Sequence, residues 1–237
     1  MTAVIEAAGL RKRYRGPAGD VPVLNGVTMA VDAGEVVGLL GVNGAGKSTT
    51  LRILAGLLTA DAGRALIAGF DVAHDRQQAR TRLGYVGQAG GLDEYVTARQ
   101  NLVFQGRLHG LGARSAGQRA DELAARFGFA PMLTTSPRTW SGGQRRRLAL
   151  ALGLMHRPAA ILLDEPTVGL DPDIREALWA QITELAEDGA AVLLTTHYLE
   201  EARRLCTRAL VMSGGVVTTD FPAEARGVAG EEPIWGR

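Results

Sequence analysis

The residues Gly41-Val42-Asn43-Gly44-Ala45-Gly46-Lys47-Ser48 fit the pattern G-x-x-x-x-G-K-[ST], an arrangement that holds phosphates. Glycines let the backbone wrap tightly, so that consecutive N–H groups converge on an anion. The helix expected to follow adds partial positive charge at its N-terminus. In this pattern Lys47 reaches the β- and γ-phosphates and Ser48 ligates Mg²⁺. Gly41, Asn43, Gly44, Ala45, Gly46, Lys47, Ser48 and Thr49 are therefore candidate nucleotide contacts. Lys12 and Lys47 are the only lysines in a chain that otherwise uses arginine, which argues against a chance placement of Lys47.

Two carboxylates end the apolar run Ile161-Leu162-Leu163-Asp164-Glu165. Alternation along a strand turns neighbouring side chains different ways, so the pair can divide its labour. Asp164 is placed to hold Mg²⁺ through its water shell, and Glu165 to polarise an attacking water. Taken alone, Asp-Glu-Pro is also a good helix start. Thr139-Trp140-Ser141-Gly142-Gly143-Gln144 precedes a basic helix over Arg145–Leu154. There Ser141 is either a plain N-cap or part of a second anion-binding helix N-terminus.

These groups need elements to position them. Val36–Leu40 reads as a strand buried on both faces, and Ser48–Leu58 has the apolar spacing of a helix. Val4–Leu10 reads as an edge strand, Arg11–Arg15 as a basic segment, Gly16–Pro22 as a turn-rich loop and Val23–Val31 as a further strand. Arg64–Ile67 and Leu83–Val86 are short strands. From about Leu92 to Thr139 the strand-like runs vanish, and helical patterns such as Ala98–Leu108 and Gln118–Phe127 take over. Strand and helix then alternate through Ala160–Asp164, Asp173–Glu187, Ala191–Thr196, Leu199–Leu205 and Ala209–Ser213. The pattern predicts an α/β fold with a largely parallel sheet and an inserted helical lobe at about 92–152. One domain is expected over 1–228, with a tail at 229–237.

Composition limits the alternatives. At 46% hydrophobic and 22% charged the chain is ordinary for a globular α/β protein, and a net charge of +1 makes no case for nucleic acid. No segment offers the roughly 20 apolar residues of a membrane helix. Met1–Leu10 lacks the basic-then-apolar pattern of a signal peptide, and the single cysteine, Cys206, cannot form an intramolecular disulfide. A cytoplasmic location is expected. His74, His109 and His156 read as surface residues, and Arg145–Arg147 as the exposed side of a helix.

The phosphate loop, Ser-Gly-Gly-Gln, the Asp-Glu-Pro strand and the later Thr195-Thr196-His197 resemble, in order and spacing, the nucleotide-binding subunits of ABC transporters over roughly residues 3–220. The resemblance implies a P-loop NTPase core, an antiparallel N-terminal β subdomain and an inserted helical subdomain. It implies that two such domains, in a homodimer or heterodimer, bind ATP and Mg²⁺ head to tail on the inner face of the membrane beside a separate permease. Ser141, Gly142, Gly143 and Gln144 then meet the nucleotide held by the partner, with Ser141 and Gly143 on its γ-phosphate. By the same resemblance Gln88 senses Mg²⁺ and water, Asp171 lies in the loop crossing between sites, His197 contacts the γ-phosphate and Tyr14 stacks on adenine. Glu165, His197 and Gln88 form the catalytic set, and Ser48, Gln88 and Asp164 the metal set.

Val42, Gly87 and Trp140 depart from the residues common at their positions, but none removes a catalytic group. Gly84–Gln88, Asn101–Leu108 and Tyr198-Leu199-Glu200-Glu201-Ala202 are similar to the daunorubicin/doxorubicin-resistance type of exporter ATPase, whose members often extend further at the C-terminus. That likeness points to export of a drug-like or amphipathic compound. An importer ATPase is the nearer alternative. A soluble ABC ATPase is the more distant one, since the chain has neither a second nucleotide-binding domain nor a long coiled-coil insertion.

Overall fold

The computed structural model describes residues 3–16, 19–88 and 90–222. The expected tail at 229–237, and the last residues of the expected domain, lie outside them. Two sheets carry the fold. The first is antiparallel and contains β1 (Ile5–Gly16), β2 (Gly19–Val31), β4 (Ala62–Ile67) and β5 (Phe70–Asp71), in the order β2-β1-β4-β5. The second contains β3 (Val36–Leu40), β6 (Leu83–Val86), β7 (Ala160–Asp164), β8 (Ala191–Thr196), β9 (Arg208–Ser213) and β10 (Val216–Pro222). Its order is β10-β9-β3-β8-β7-β6, parallel throughout except that β10 runs antiparallel to β9.

Strand alternation explains how the larger sheet joins two cores. Val37, Leu39, Leu162 and Leu193 face the antiparallel sheet and helix α1 (Lys47–Leu54). Val36, Leu40, Ile161, Leu163 and Leu194 face the other way, into a core shared with the helices of the inserted lobe and those that follow β7 and β8. Both faces are covered, so these strands read as continuous apolar runs. Between β6 and β7 lie α3 (Ala98–Leu108), α4 (Ala113–Arg126) and α5 (Gly142–Gly153). α6 (Pro172–Glu187) and α7 (Leu199–Leu205) follow β7 and β8, and α2 (Arg76–Arg82) precedes β6.

Several expectations are corrected here. Val4–Leu10 is not an edge, because β1 pairs with β2 on one side and β4 on the other. The basic segment Arg11–Arg15 belongs to β1, and Gly19–Pro22, expected in a loop, belongs to β2. The β1–β2 ladder continues through Tyr14↔Val21 to Gly16↔Gly19, with a register shift between Lys12 and Arg13. β2 is the sheet's outer strand, where Pro22 and a bulge are tolerated. Helix α1 ends at Leu54, short of Leu58, and Arg76–Arg82 and Val216–Pro222 form elements the sequence pattern did not mark.

His109 and His156 are not free surface residues either. Their rings stack 3.7 Å apart at 4°, and His156 Nε2 lies 2.9 Å from the Leu83 carbonyl oxygen. Burial holds the His156 pKa down at about 4. His74 is exposed, as expected. Trp140 is buried against Phe129 and donates from Nε1 to Thr135 Oγ1 at 2.9 Å, which anchors the chain just before Ser141.

Candidate functional site

β3 delivers the chain to the glycine loop, and close packing decides which loop residues can be there. A Cβ on Gly41 would overlap the Met212 carbonyl oxygen. At Gly46, where φ is +106°, a Cβ would meet Leu24 Cδ2 at 2.6 Å and Met212 Cε at 2.7 Å. The loop is thus pressed against β2 and β9, and its backbone must curl forward. Lys47 is buried, and its Nζ donates to the carbonyls of Gly41 at 2.7 Å and Val42 at 3.0 Å. Burial lowers its pKa, opposed by the carboxylates of Glu165 and Asp164.

β7 ends at the same mouth. Ser48 Oγ donates to Asp164 Oδ1 at 3.0 Å, and Thr195 Oγ1 donates to the same oxygen at 2.7 Å. Parallel pairing explains the second contact, since Asp164 and Thr195 are register partners at the ends of β7 and β8. Hydroxyl and carboxylate oxygens that converge in this way are suitable donors for a hard divalent cation.

At Glu165 the backbone turns into the left-handed region, with φ of +49°. That conformation is strained for a residue with a side chain and persists only where the surroundings enforce it. The Glu165 N–H donates to Thr195 Oγ1 at 3.0 Å. Its carboxylate lies between two loops, with Gln88 Nε2 at 3.2 Å and His197 Nδ1 at 3.4 Å. His197 follows β8, and the adjoining α7 is held by buried Glu201, which accepts from Thr167 Oγ1 at 2.7 Å and Trp179 Nε1 at 3.0 Å.

A groove of about 520 Å³ joins these parts, lined by Tyr14, Val23, Asn43, Gly44, Gly46, Lys47, Ser48, Thr49, Gln88 and Glu165. Tyr14 reaches it because β1 extends past Leu10, and the ring is 39% exposed there. Ala45 and Gly41 are buried behind the loop.

The second anion-binding candidate lies elsewhere. Ser141 Oγ accepts from Gln144 N at 3.2 Å, while Gln144 Oε1 accepts from Ser141 N at 2.8 Å. The pair therefore forms a reciprocal cap on α5. Gly142 opens onto a separate groove of about 540 Å³ that shares Gln88 and Glu165 as its wall. Ser141, Gly143, Gln144 and Asp171 line neither groove. Asp171 occupies the N-cap position of α6 without a side-chain cap bond.

Two site residues escaped the sequence reading. Thr195, quoted only as part of Thr-Thr-His, bridges Asp164 and Glu165. Arg146 was grouped with an exposed helix side, yet it turns inward to three backbone carbonyls. Arg145 does not share that fate and pairs with Glu94 at 3.5 Å on the surface.

Comparison with known proteins agrees with this geometry. The family model described as ABC transporter matches residues 24–168. A daunorubicin resistance ATP-binding protein from Streptomyces coeruleorubidus is 46% identical, over 93% of this chain and 68% of its own length. A Nod factor export ATP-binding protein I from Ralstonia nicotianae is 40% identical, over 90% of this chain and 65% of its own length. The chain thus spans about two thirds of these relatives. A solved dimeric ATP-binding cassette in a post-hydrolysis state, bound to ADP and Pi, superposes with a TM-score of 0.84 at 26% identity, covering 92% of this chain and 98% of that one. No helix among the described residues is long and apolar enough to cross a membrane. With its phosphate loop and paired carboxylates at one groove, the chain belongs to the ABC transporter family as an ATP-binding cassette.

Proposed function

We propose that this chain hydrolyses ATP as the motor subunit of an exporter, working as a dimer beside a separate membrane permease. The observation that carries the proposal is the Glu165 carboxylate, which lies between Gln88 and His197, one residue after the Asp164 that Ser48 contacts. ATP enters the groove with its phosphates on the Gly41–Thr49 backbone and Lys47, and its adenine against Tyr14. Ser48, Gln88 and Asp164 would hold Mg²⁺, since their hydroxyl, amide and carboxylate oxygens suit that ion. When bound, the ion neutralises charge that develops on the phosphates. Glu165 accepts a proton from the attacking water, Gln88 keeps that carboxylate oriented, and His197 contacts the γ-phosphate.

A second copy, or a similar chain, binds head to tail. Its Ser141, Gly142, Gly143 and Gln144 then close over the nucleotide, and Asp171 lies in the crossing between the two sites. Residues 1–228 act as one domain with the lobe at about 92–152 inserted, and 229–237 is a tail. The assembly sits on the cytoplasmic face of the membrane. Relatives named for drug resistance and for Nod factor export support an amphipathic or drug-like cargo.

The test is Glu165→Gln. Turnover should fall about 10²- to 10⁴-fold, the usual contribution of a general base, while ATP still binds. Size-exclusion chromatography with ATP should then show a trapped dimer. Near-normal turnover without a dimer would overturn the assignment.

A further inference from the structure

Three consecutive arginines follow the opening residues of α5, and the middle one is bonded to three backbone carbonyls of other elements. Arg146 Nε donates to the Pro166 carbonyl at 2.8 Å, Nη2 to the Asp164 carbonyl at 3.1 Å and Nη1 to the Gly87 carbonyl at 2.9 Å. The first two acceptors flank Glu165, the residue whose backbone sits at φ +49°. The third immediately precedes Gln88. A single planar group therefore brackets the backbone of one candidate catalytic residue and adjoins that of a second. Lysine could not reproduce this, because its ammonium is a point donor and the three carbonyls require a fork.

We propose that Arg146 is a positioning residue, which fixes Glu165 and Gln88 relative to helix α5 through the carbonyls of Asp164, Pro166 and Gly87. The inference rests on the proposed role of Glu165. It explains how a left-handed glutamate is kept in place: Thr195 holds its N–H, and Arg146 holds the carbonyl before it and the carbonyl after it. It also ties two sites together. Arg146 lies one helical turn after Gly142 and lines the same groove. α5 carries at its start the segment proposed to close over the partner chain's nucleotide. A shift of that segment is thus transmitted by a short, rigid helix to the carboxylate that serves this chain's own nucleotide.

The experiment is a double-mutant cycle on ATP turnover with Arg146→Met, Glu165→Gln and the combined variant. Arg146→Met should lower kcat about 10- to 100-fold, as expected when a reacting group is misplaced by about 1 Å. KM for ATP should stay within about threefold, since no nucleotide contact is removed. In the Glu165→Gln background, removal of Arg146 should lower turnover by far less than in the parent, because the larger part of its effect passes through the carboxylate already lost. Arg146→Lys should give an intermediate kcat. If Arg146→Met fails to fold, as judged by thermal melting, Arg146→Lys carries the same cycle.

Multiplied losses in the combined variant would overturn the proposal, as would a kcat near that of the parent or a raised KM with kcat unchanged. Normal turnover by Glu165→Gln alone would instead defeat the proposed function, so the two failures are distinct.

Discussion

The phosphate-loop groove and the Ser141 segment are both built on a helix N-terminus, yet they are finished to different degrees. Around the groove, one chain brings Lys47, Ser48, Asp164, Glu165, Gln88 and His197 within hydrogen-bonding reach of one another or of the loop. At Ser141 the available side chains satisfy only the helix that carries them, through the reciprocal bonds with Gln144. Both helix ends offer N–H groups to an anion, but only the first sets a lysine ammonium in its own loop and a hydroxyl on a buried carboxylate. The difference fits the proposed dimer, in which the chain makes most of one site and the complement of another, and a second chain supplies the rest.

Complementation tests that division most severely. A Lys47→Ala chain and a Ser141→Arg chain should each be nearly inactive alone, since every site in either homodimer carries a defect. Mixed, they form a dimer with one doubly damaged site and one intact site, and part of the ATPase activity should return. Full activity in Ser141→Arg homodimers, measured by phosphate release, would break the comparison by showing that the Ser141 segment takes no part.

A smaller effect is expected at the groove's far end. Stacking of a base on an aromatic ring contributes about 1–3 kcal/mol, so Tyr14→Ala should weaken ATP binding roughly five- to hundredfold. Tyr14→Trp should bind nearly as the parent does, because any flat ring can stack. Equilibrium titration with a fluorescent nucleotide measures both, and unchanged affinity in the alanine variant would mean that the groove is closed by another residue.

The smallest effect lies away from both regions, where His109 at the end of α3 stacks on His156 ahead of β7. Burial depresses the His156 pKa to about 4, below the ordinary histidine value. The unfolded chain therefore binds a proton that the folded chain refuses over that interval. Stability is fully present above about pH 6.5 and declines as pH falls toward about 4. The groups facing this ring are His109, itself lowered by burial and by Arg80, and the Leu83 carbonyl. His156→Gln, which can still donate to Leu83, should flatten the fall of the melting temperature between those pH values. An equally steep fall in the variant would place the acid sensitivity elsewhere.

What the sequence determined by itself was the set of local devices whose residues are close along the chain. The glycine loop with Lys47 and Ser48, the apolar strand ending in Asp164 and Glu165, the cap at Ser141 and the alternation of strand and helix depend on short-range sterics and periodicity. Those are legible wherever spacing alone carries the physics. The β1–β2 hairpin was misread for the opposite reason: Gly19–Pro22 has turn-like composition and Arg11–Arg15 no apolar alternation, and only pairing between the strands makes them ladder. Tertiary structure alone decided that Arg146 turns inward, because the three carbonyls that it meets come from residues 87, 164 and 166. It likewise decided that Thr195 bridges the Asp164 carboxylate and the Glu165 N–H, and that His109 and His156 stack. Each of these contacts joins groups distant in sequence, and no local pattern records which buried polar group will find which partner.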